Sequence, residues 1–371
     1  MNAWPDGNSA FGGWSVAACG ASPTCAITLN ADTVVTATFV NPNTWTATGS
    51  MTTPRFNATA TLLPNGTVLV VGGASTATAE IYDPATGQWT GTGSMRIARH
   101  LHTATLLPNG TVLVTGGFDS MDRTVNLAEI YSPATGLWTA TGAMTVARTG
   151  HTATLLPNGT VLVAGGGGST VTEIYEPATG QWTTTGSMTT ARAYLTATLL
   201  QNGTVLVAGG YNGGDLHTTE IYDPATGQWT PTGSLTTARD SHTATILRNG
   251  TVLVTGGRRF VACCSTEVLS SAELYSPATR QWTTVGSMFA ARSEHAATLL
   301  PNGTVLVTGG NSFVSLQSAE IYDPATAQWT PTKNMSTQRS GHTATLLPNG
   351  SALAAGGSSD GVSAEIYSTG P

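Results

Sequence analysis

The 371-residue chain predicts an all-β fold, a seven-bladed β-propeller closed by pairing of its N- and C-terminal strands, and three observations predict it. First, one sentence recurs seven times, clearest as His-Thr-Ala-Thr-Leu-Leu-Pro-Asn-Gly-Thr-Val-Leu-Val-Ala-Gly-Gly from His151 to Gly166. A unit of ~50 residues cannot bury both faces of its own sheet, so it must stack on copies of itself. Second, each unit holds four strand-length patterns separated by turn residues. Third, the tally of tyrosines and tryptophans balances only if the two chain ends share a blade.

The four strands of a unit are designated A to D. Strand A reads His-Thr-Ala-Thr-Leu-Leu and strand B Thr-Val-Leu-Val. Asn-Gly links them at 65, 109, 158, 202, 249, 302 and 349; both residues accept positive φ, which makes the pair a strong hairpin signal. Gly-Gly follows B at 72, 116, 165, 209, 256, 309 and 356. Strand C begins with Glu-Ile-Tyr or Glu-Leu-Tyr at 80, 129, 173, 220, 273, 320 and 365. A turn such as Asp83-Pro84-Ala85-Thr86-Gly87 leads to D, whose Trp stands at 89, 138, 182, 229, 282 and 329. The last unit has Tyr367 but no later Trp, whereas Trp45 precedes every C strand. Trp45 therefore completes the last blade and removes an exposed sheet edge.

Composition agrees with this and excludes several functions. Only 9% of residues are charged, and Thr, Gly, Val and Ala dominate, which is strand and turn chemistry. A formal net charge of -6 without a basic run argues against nucleic-acid binding. No apolar stretch reaches the ~20 residues of a membrane helix, so no membrane insertion is expected. The N-terminus has no signal-peptide pattern, which leaves the compartment open for a chain that begins inside a longer protein. Cys19 and Cys25 are spaced for a disulfide and would favour an oxidising location; Cys263 and Cys264 are adjacent, and their bridge would be strained. No zinc spacing is present and no cofactor is expected.

The Gly-Gly, the Tyr-Asp-Pro-like turn, the Trp and the following Met and Arg resemble kelch repeats over about residues 42 to 368, most closely the central domain of galactose-oxidase-like proteins. Residues 1–40, with Gly13-Trp14-Ser15 and Val35-Thr36-Ala37-Thr38-Phe39, resemble the end of a β-rich repeat of bacterial secreted and surface proteins. That resemblance implies two regions, 1–40 and 41–371, a monomer within a longer multidomain chain, and an extracellular or cell-surface place. The galactose-oxidase likeness would imply copper held by two tyrosines and two histidines. Only Tyr194, in Arg192-Ala193-Tyr194, matches a ligand position; no Tyr precedes a recurrent histidine and no Cys begins an A strand, so that site is not carried over.

Strand direction puts the uniform A–B and C–D turns on one face and the variable B–C and D–A links on the other. Variable loops on a rigid scaffold are where binding usually sits. Candidate ligand residues there are Phe118, Tyr194, Tyr211, Arg258, Arg259 and Phe260, the last three in a long link running to Ala272. Each D–A link also carries an arginine: Arg55, Arg99, Arg148, Arg192, Arg239, Arg292 and Arg339. Two readings stay open for them. They could form an anion-reading rim, as arginines at the matching position do in kelch domains that capture acidic peptides. They could instead be interior struts reaching the Glu that begins each C strand. Histidine follows three residues after five of these arginines, a recurrence that suits packing rather than a metal site. The expected function is a non-catalytic binding module for a carbohydrate or protein. The alternatives are a carbohydrate-active enzyme (an epimerase, lyase or oxidase-like) with its site at the channel mouth, and a spacer without a ligand.

Overall fold

The computed structural model describes residues 10–14, 24, 26, 35, 37–40, 43–74, 76–261, 265–357 and 360–368. Within them are seven antiparallel four-stranded sheets and no helix. In the first blade, A is Thr59–Leu62, B Val68–Val71, C Ala79–Asp83 and D Gln88–Thr92. In the seventh, A is Thr343–Leu346, B Ala352–Ala355 and C Ala364–Ser368, while D is supplied by Thr44–Ala47 from the other end of the chain. Trp45 pairs with Tyr367 in register, their rings 5.2 Å apart, as in the other blades where the equivalent distances are 5.0 to 5.1 Å. Strand A is innermost: each A strand packs on the A strands of both neighbours, and Thr343–Leu346 on Thr59–Leu62 closes the circle.

Every B strand is buried at all four residues, because it lies mid-blade between two neighbouring sheets. That is why it reads Val-Leu-Val rather than alternating. The cores lie between blades; Leu69, Val71 and Ala79 of the first, for example, pack with Val112, Val114 and Tyr131 of the second.

Recurrent polar residues lock the joints. The Tyr hydroxyl of one C strand meets a Thr hydroxyl at the end of the preceding blade in five cases: Thr48–Tyr82, Thr92–Tyr131, Thr141–Tyr175, Thr185–Tyr222 and Thr232–Tyr275, each 2.8 Å. In the joint between blades five and six, Val285 replaces Thr, and the buried Tyr322 hydroxyl has no partner. Val285→Thr is expected to restore the bond and raise stability by about 0.5–1.5 kcal/mol. A urea denaturation midpoint equal to or below that of the parent chain would contradict this.

Apart from the ring, Ala10–Trp14 pairs antiparallel with Ala37–Val40 in a separate two-stranded sheet. Cys19, Cys25, Cys263 and Cys264 lie outside the described residues. The long B–C link of blade five is not a plain loop: Arg258–Val261 pairs with Ser265–Val268 as a hairpin. Its strand-forming residues, Phe260, Val261, Thr266 and Val268 among them, explain the added sheet.

Candidate functional site at the channel mouth

The seven arginines do not face outward. Each is 0 or 1% exposed. Each places Nη2 2.6 to 3.0 Å from the Oε1 of the Glu in its own blade: Arg55–Glu80, Arg99–Glu129, Arg148–Glu173, Arg192–Glu220, Arg239–Glu273, Arg292–Glu320 and Arg339–Glu365. Nη1 of Arg55 donates to the carbonyls of Gly72 and Thr78, so the side chain ties the end of B to the start of C. The other Glu80 oxygen accepts from the Thr52 amide and hydroxyl, which tethers the incoming D–A link. This is the strut arrangement, and it leaves no guanidinium of the seven at the surface to meet an anion.

The arginine backbone is used as well. The second glycine of each Gly-Gly donates its N–H to the arginine carbonyl of the next blade, from Gly73 to Arg99 at 2.9 Å round to Gly357 to Arg55 at 2.9 Å. The first glycine explains the motif. Gly72 has φ +65°, and a Cβ there would lie 2.5 Å from the Arg99 carbonyl oxygen and 2.7 Å from the His102 ring. Any side chain would push the two blades apart.

The recurrent histidines fill this same joint. His102 meets the Thr59 hydroxyl of the preceding blade through Nε2 at 2.9 Å; His151, His242 and His295 make equivalent contacts, and His342, where Ala296 replaces that Thr, meets Thr308 at the end of strand B instead. Burial, helped by the nearby arginines, pushes His102, His151, His242 and His342 down to about 3, so they are neutral at physiological pH. His295 is lowered for the same reasons.

What remains at the mouth is a second ring, made of the residue two positions after each arginine: Asn57, Leu101, Gly150, Tyr194, Ser241, Glu294 and Gly341. All seven have φ between +51° and +61°. Six of the seven neighbouring pairs are joined head to tail through their backbones, with the Leu101 amide donating to the Asn57 carbonyl, Tyr194 to Gly150, Ser241 to Tyr194, Glu294 to Ser241, Gly341 to Glu294, and Asn57 to Gly341. For the non-glycine members this conformation costs roughly 1 kcal/mol or more each. These backbone bonds hold the strain, and they hold five unlike side chains, Asn57, Leu101, Tyr194, Ser241 and Glu294, at fixed places around the channel.

All residues of this second ring but Gly150 line a cavity of about 370 Å³, within the ~300–1,000 Å³ usual for small-molecule sites. Its walls include Asn57, Tyr194, Ser241, Arg258, Glu294 and four of the recurrent histidines. Arg258 reaches it from the hairpin of blade five. Its Nε lies 3.1 Å from Asp240 Oδ1 and its Nη1 3.6 Å from Glu294 Oε1. Asp215, from the B–C link of blade four, accepts the Phe260 amide with Oδ2. Desolvation raises the Asp215 carboxyl above the usual carboxylate range, against the Phe260 hydrogen bond, and neighbouring Asp240 adds to the rise. Burial likewise raises the Tyr194 phenol.

The other candidates lie around this cavity rather than in it. Tyr211 and Phe260 form a tilted pair with centroids 5.7 Å apart. Arg259 pairs along its hairpin with Glu267 at 2.7 Å. Phe118 stacks on His100, 5.6 Å away, in blade two. Sequence reasoning had not selected Asn57, Ser241, Asp240 and Glu294; the signal was the pair of glycines, Gly150 and Gly341, at one repeat position.

The fold and its diversified mouth define a propeller of the interaction type. Residues 59–257 and 150–357 match the KLHDC2/KLHL20/DRC7 Kelch-repeats domain, and the chain belongs to the kelch-repeat family. No curated protein sequence matches it. A solved structure described as a novel fungal alcohol oxidase of the AA5 family, in complex with copper, is similar, with TM-score 0.69 and 19% identity over 87% of this chain and 76% of that chain. Such a likeness supports the fold alone. The residues at this mouth do not fit a copper-radical centre: Tyr194 is the one tyrosine lining the cavity, and the histidines are engaged with threonines in the joints. Among the described residues, no three of His, Cys, Asp and Glu converge as a metal-binding group. No helix among them is long and apolar enough to cross a membrane.

Proposed function

We propose that this chain is a non-catalytic recognition domain that takes a carbohydrate at the channel mouth. The observation that carries the reading is the division of labour among polar residues. The repeated arginines, glutamates and histidines are consumed in joints, while the unrepeated Asn57, Tyr194, Ser241, Arg258 and Glu294 line an open cavity. Planar amide, carboxylate and guanidinium groups suit paired hydroxyls, and the adjoining Tyr211–Phe260 pair offers an apolar surface for a sugar ring. The domain works as a monomeric unit, residues 41–371, of a longer secreted or cell-surface bacterial protein; the likeness of residues 1–40 to a surface-protein repeat supports that setting. Isothermal titration with glycans selected on an array tests the reading. Tyr194→Ala and Arg258→Ala are expected to weaken binding about tenfold or more, a loss of about 1.4 kcal/mol. Arg259→Ala, outside the cavity, is expected to leave it unchanged. Binding unaffected by all three, or no glycan bound, removes the site from the channel mouth.

A further inference from the structure

Around the cavity, among the described residues, the acids Asp215, Asp240 and Glu294 outnumber the one cation outside the strut pairs, Arg258, contrary to the anion-reading rim that seven arginines suggest in sequence. Each arginine of that ring is cancelled by its own buried glutamate, and the histidines are neutral. Among the described residues, the cation lining the cavity is Arg258, and it stands beside three acids from three different links. Its Nε serves Asp240, which is 1% exposed; Asp215 lies within hydrogen-bonding reach of Asp240; and Glu294, at 3.6 Å from Nη1, is 39% exposed on its side chain. An ion pair this long and this open is weak. Glu294 is therefore available to a ligand. The histidines beside the cavity, His242, His295 and His342, are more than nine-tenths buried and their imidazoles are kept neutral by that burial, so they add no cation to it.

We propose that the cavity selects a sugar bearing a protonated amine, a hexosamine rather than a neutral or acidic sugar, with Glu294 as the partner of the ammonium group. The proposal rests on the reading of the mouth as a carbohydrate site. An ammonium beside Glu294 gains Coulomb energy in a partly desolvated setting, and the aromatic faces of Tyr194 and Tyr211 lie on the same side of the molecule. An acidic sugar would meet the same carboxylates at a cost.

The test is isothermal titration at pH 7 with three probes: a glucosamine oligomer, its N-acetylated counterpart, and a galacturonic acid oligomer. The amine is expected to bind at least tenfold more tightly than the N-acetylated sugar, and the acid least. Glu294→Gln is expected to abolish the preference for the amine while leaving the weaker N-acetylated binding in place. Raised salt should narrow the gap. Equal binding of amine and N-acetylated probes, sensitive to Tyr194→Ala, overturns the ammonium inference and keeps the carbohydrate site. Preference for the acid does the same. Binding of none of the three overturns the ammonium inference, and the array then decides the site itself.

Discussion

Removing residues 1–47 is expected to abolish the single cooperative unfolding transition of this protein, or to lower its stability by more than about 5 kcal/mol, much of what a domain typically has. The deletion leaves the seventh blade with three strands. Tyr367, fully buried in the closed ring, loses the Trp45 ring 5.2 Å away and the Asn43 side chain that accepts its hydroxyl at 2.9 Å. The backbone edge of Ala364–Ser368 becomes open to other chains, so association is expected alongside the loss of stability. Trp45→Ala keeps the strand's backbone bonds and should cost less. Urea denaturation followed by fluorescence, with light scattering on the same samples, reads both effects. A truncated chain that unfolds at the parent midpoint and stays monodisperse would show that the ring does not need its clasp.

Mild acid is expected to be the second large destabiliser. The unfolded chain presents five ordinary histidines near 6.5, whereas in the fold four are held at about 3 and His295 is also lowered, all by burial. Below pH 6.5 the unfolded state therefore takes up protons that the native state refuses. Stability is fully present above pH 6.5 and is lost as pH falls towards 3. One unit below 6.5, the four groups held at about 3 together cost about 6 kcal/mol, and His295 adds a loss of the same sign. The lowered Glu80, held down by the Thr52 amide and Arg55, adds a loss of the same sign at lower pH. Denaturant titrations at pH 7.5 and 5.5 measure the difference, and equal midpoints would refute it. Blade four supplies the control. Leu195 stands there in the histidine position and is buried, so His295→Leu should reduce the proton uptake by one group without opening the joint.

Blade number, closure and the division into a uniform and a variable face were all legible in the repeat, because each depends on periodic signals: Asn-Gly turns, Gly-Gly joints, and the Tyr–Trp count. The Arg–Glu pairs were legible as one of two readings. Distance along a strand ladder allowed the strut, but nothing in the spacing excluded an outward guanidinium. The cavity was much less visible. Leu101, Tyr194 and Glu294 give no sign in sequence that they adopt positive φ, since that conformation goes with backbone bonds between neighbouring blades rather than with their own preferences. Asp215, Asp240 and Arg258 come from separate links, and only the packing of blade four on blade five brings them together. The grouping of charges at the mouth followed from those meetings, so counting arginines did not reveal it.

The hydrogen bond from the second glycine to the next arginine carbonyl involves only main-chain atoms. Such a joint carries no record of which two sectors it unites. As far as this bond is concerned, one sector can be exchanged for another without the joint needing a new chemistry, whereas the Tyr–Thr and His–Thr contacts differ from joint to joint. The near-identity of the sectors is then what duplication would leave behind, and it keeps the cost of changing a rim residue local to that residue. The residues at the mouth can vary one position at a time, on a frame whose main-chain joints do not depend on the choice.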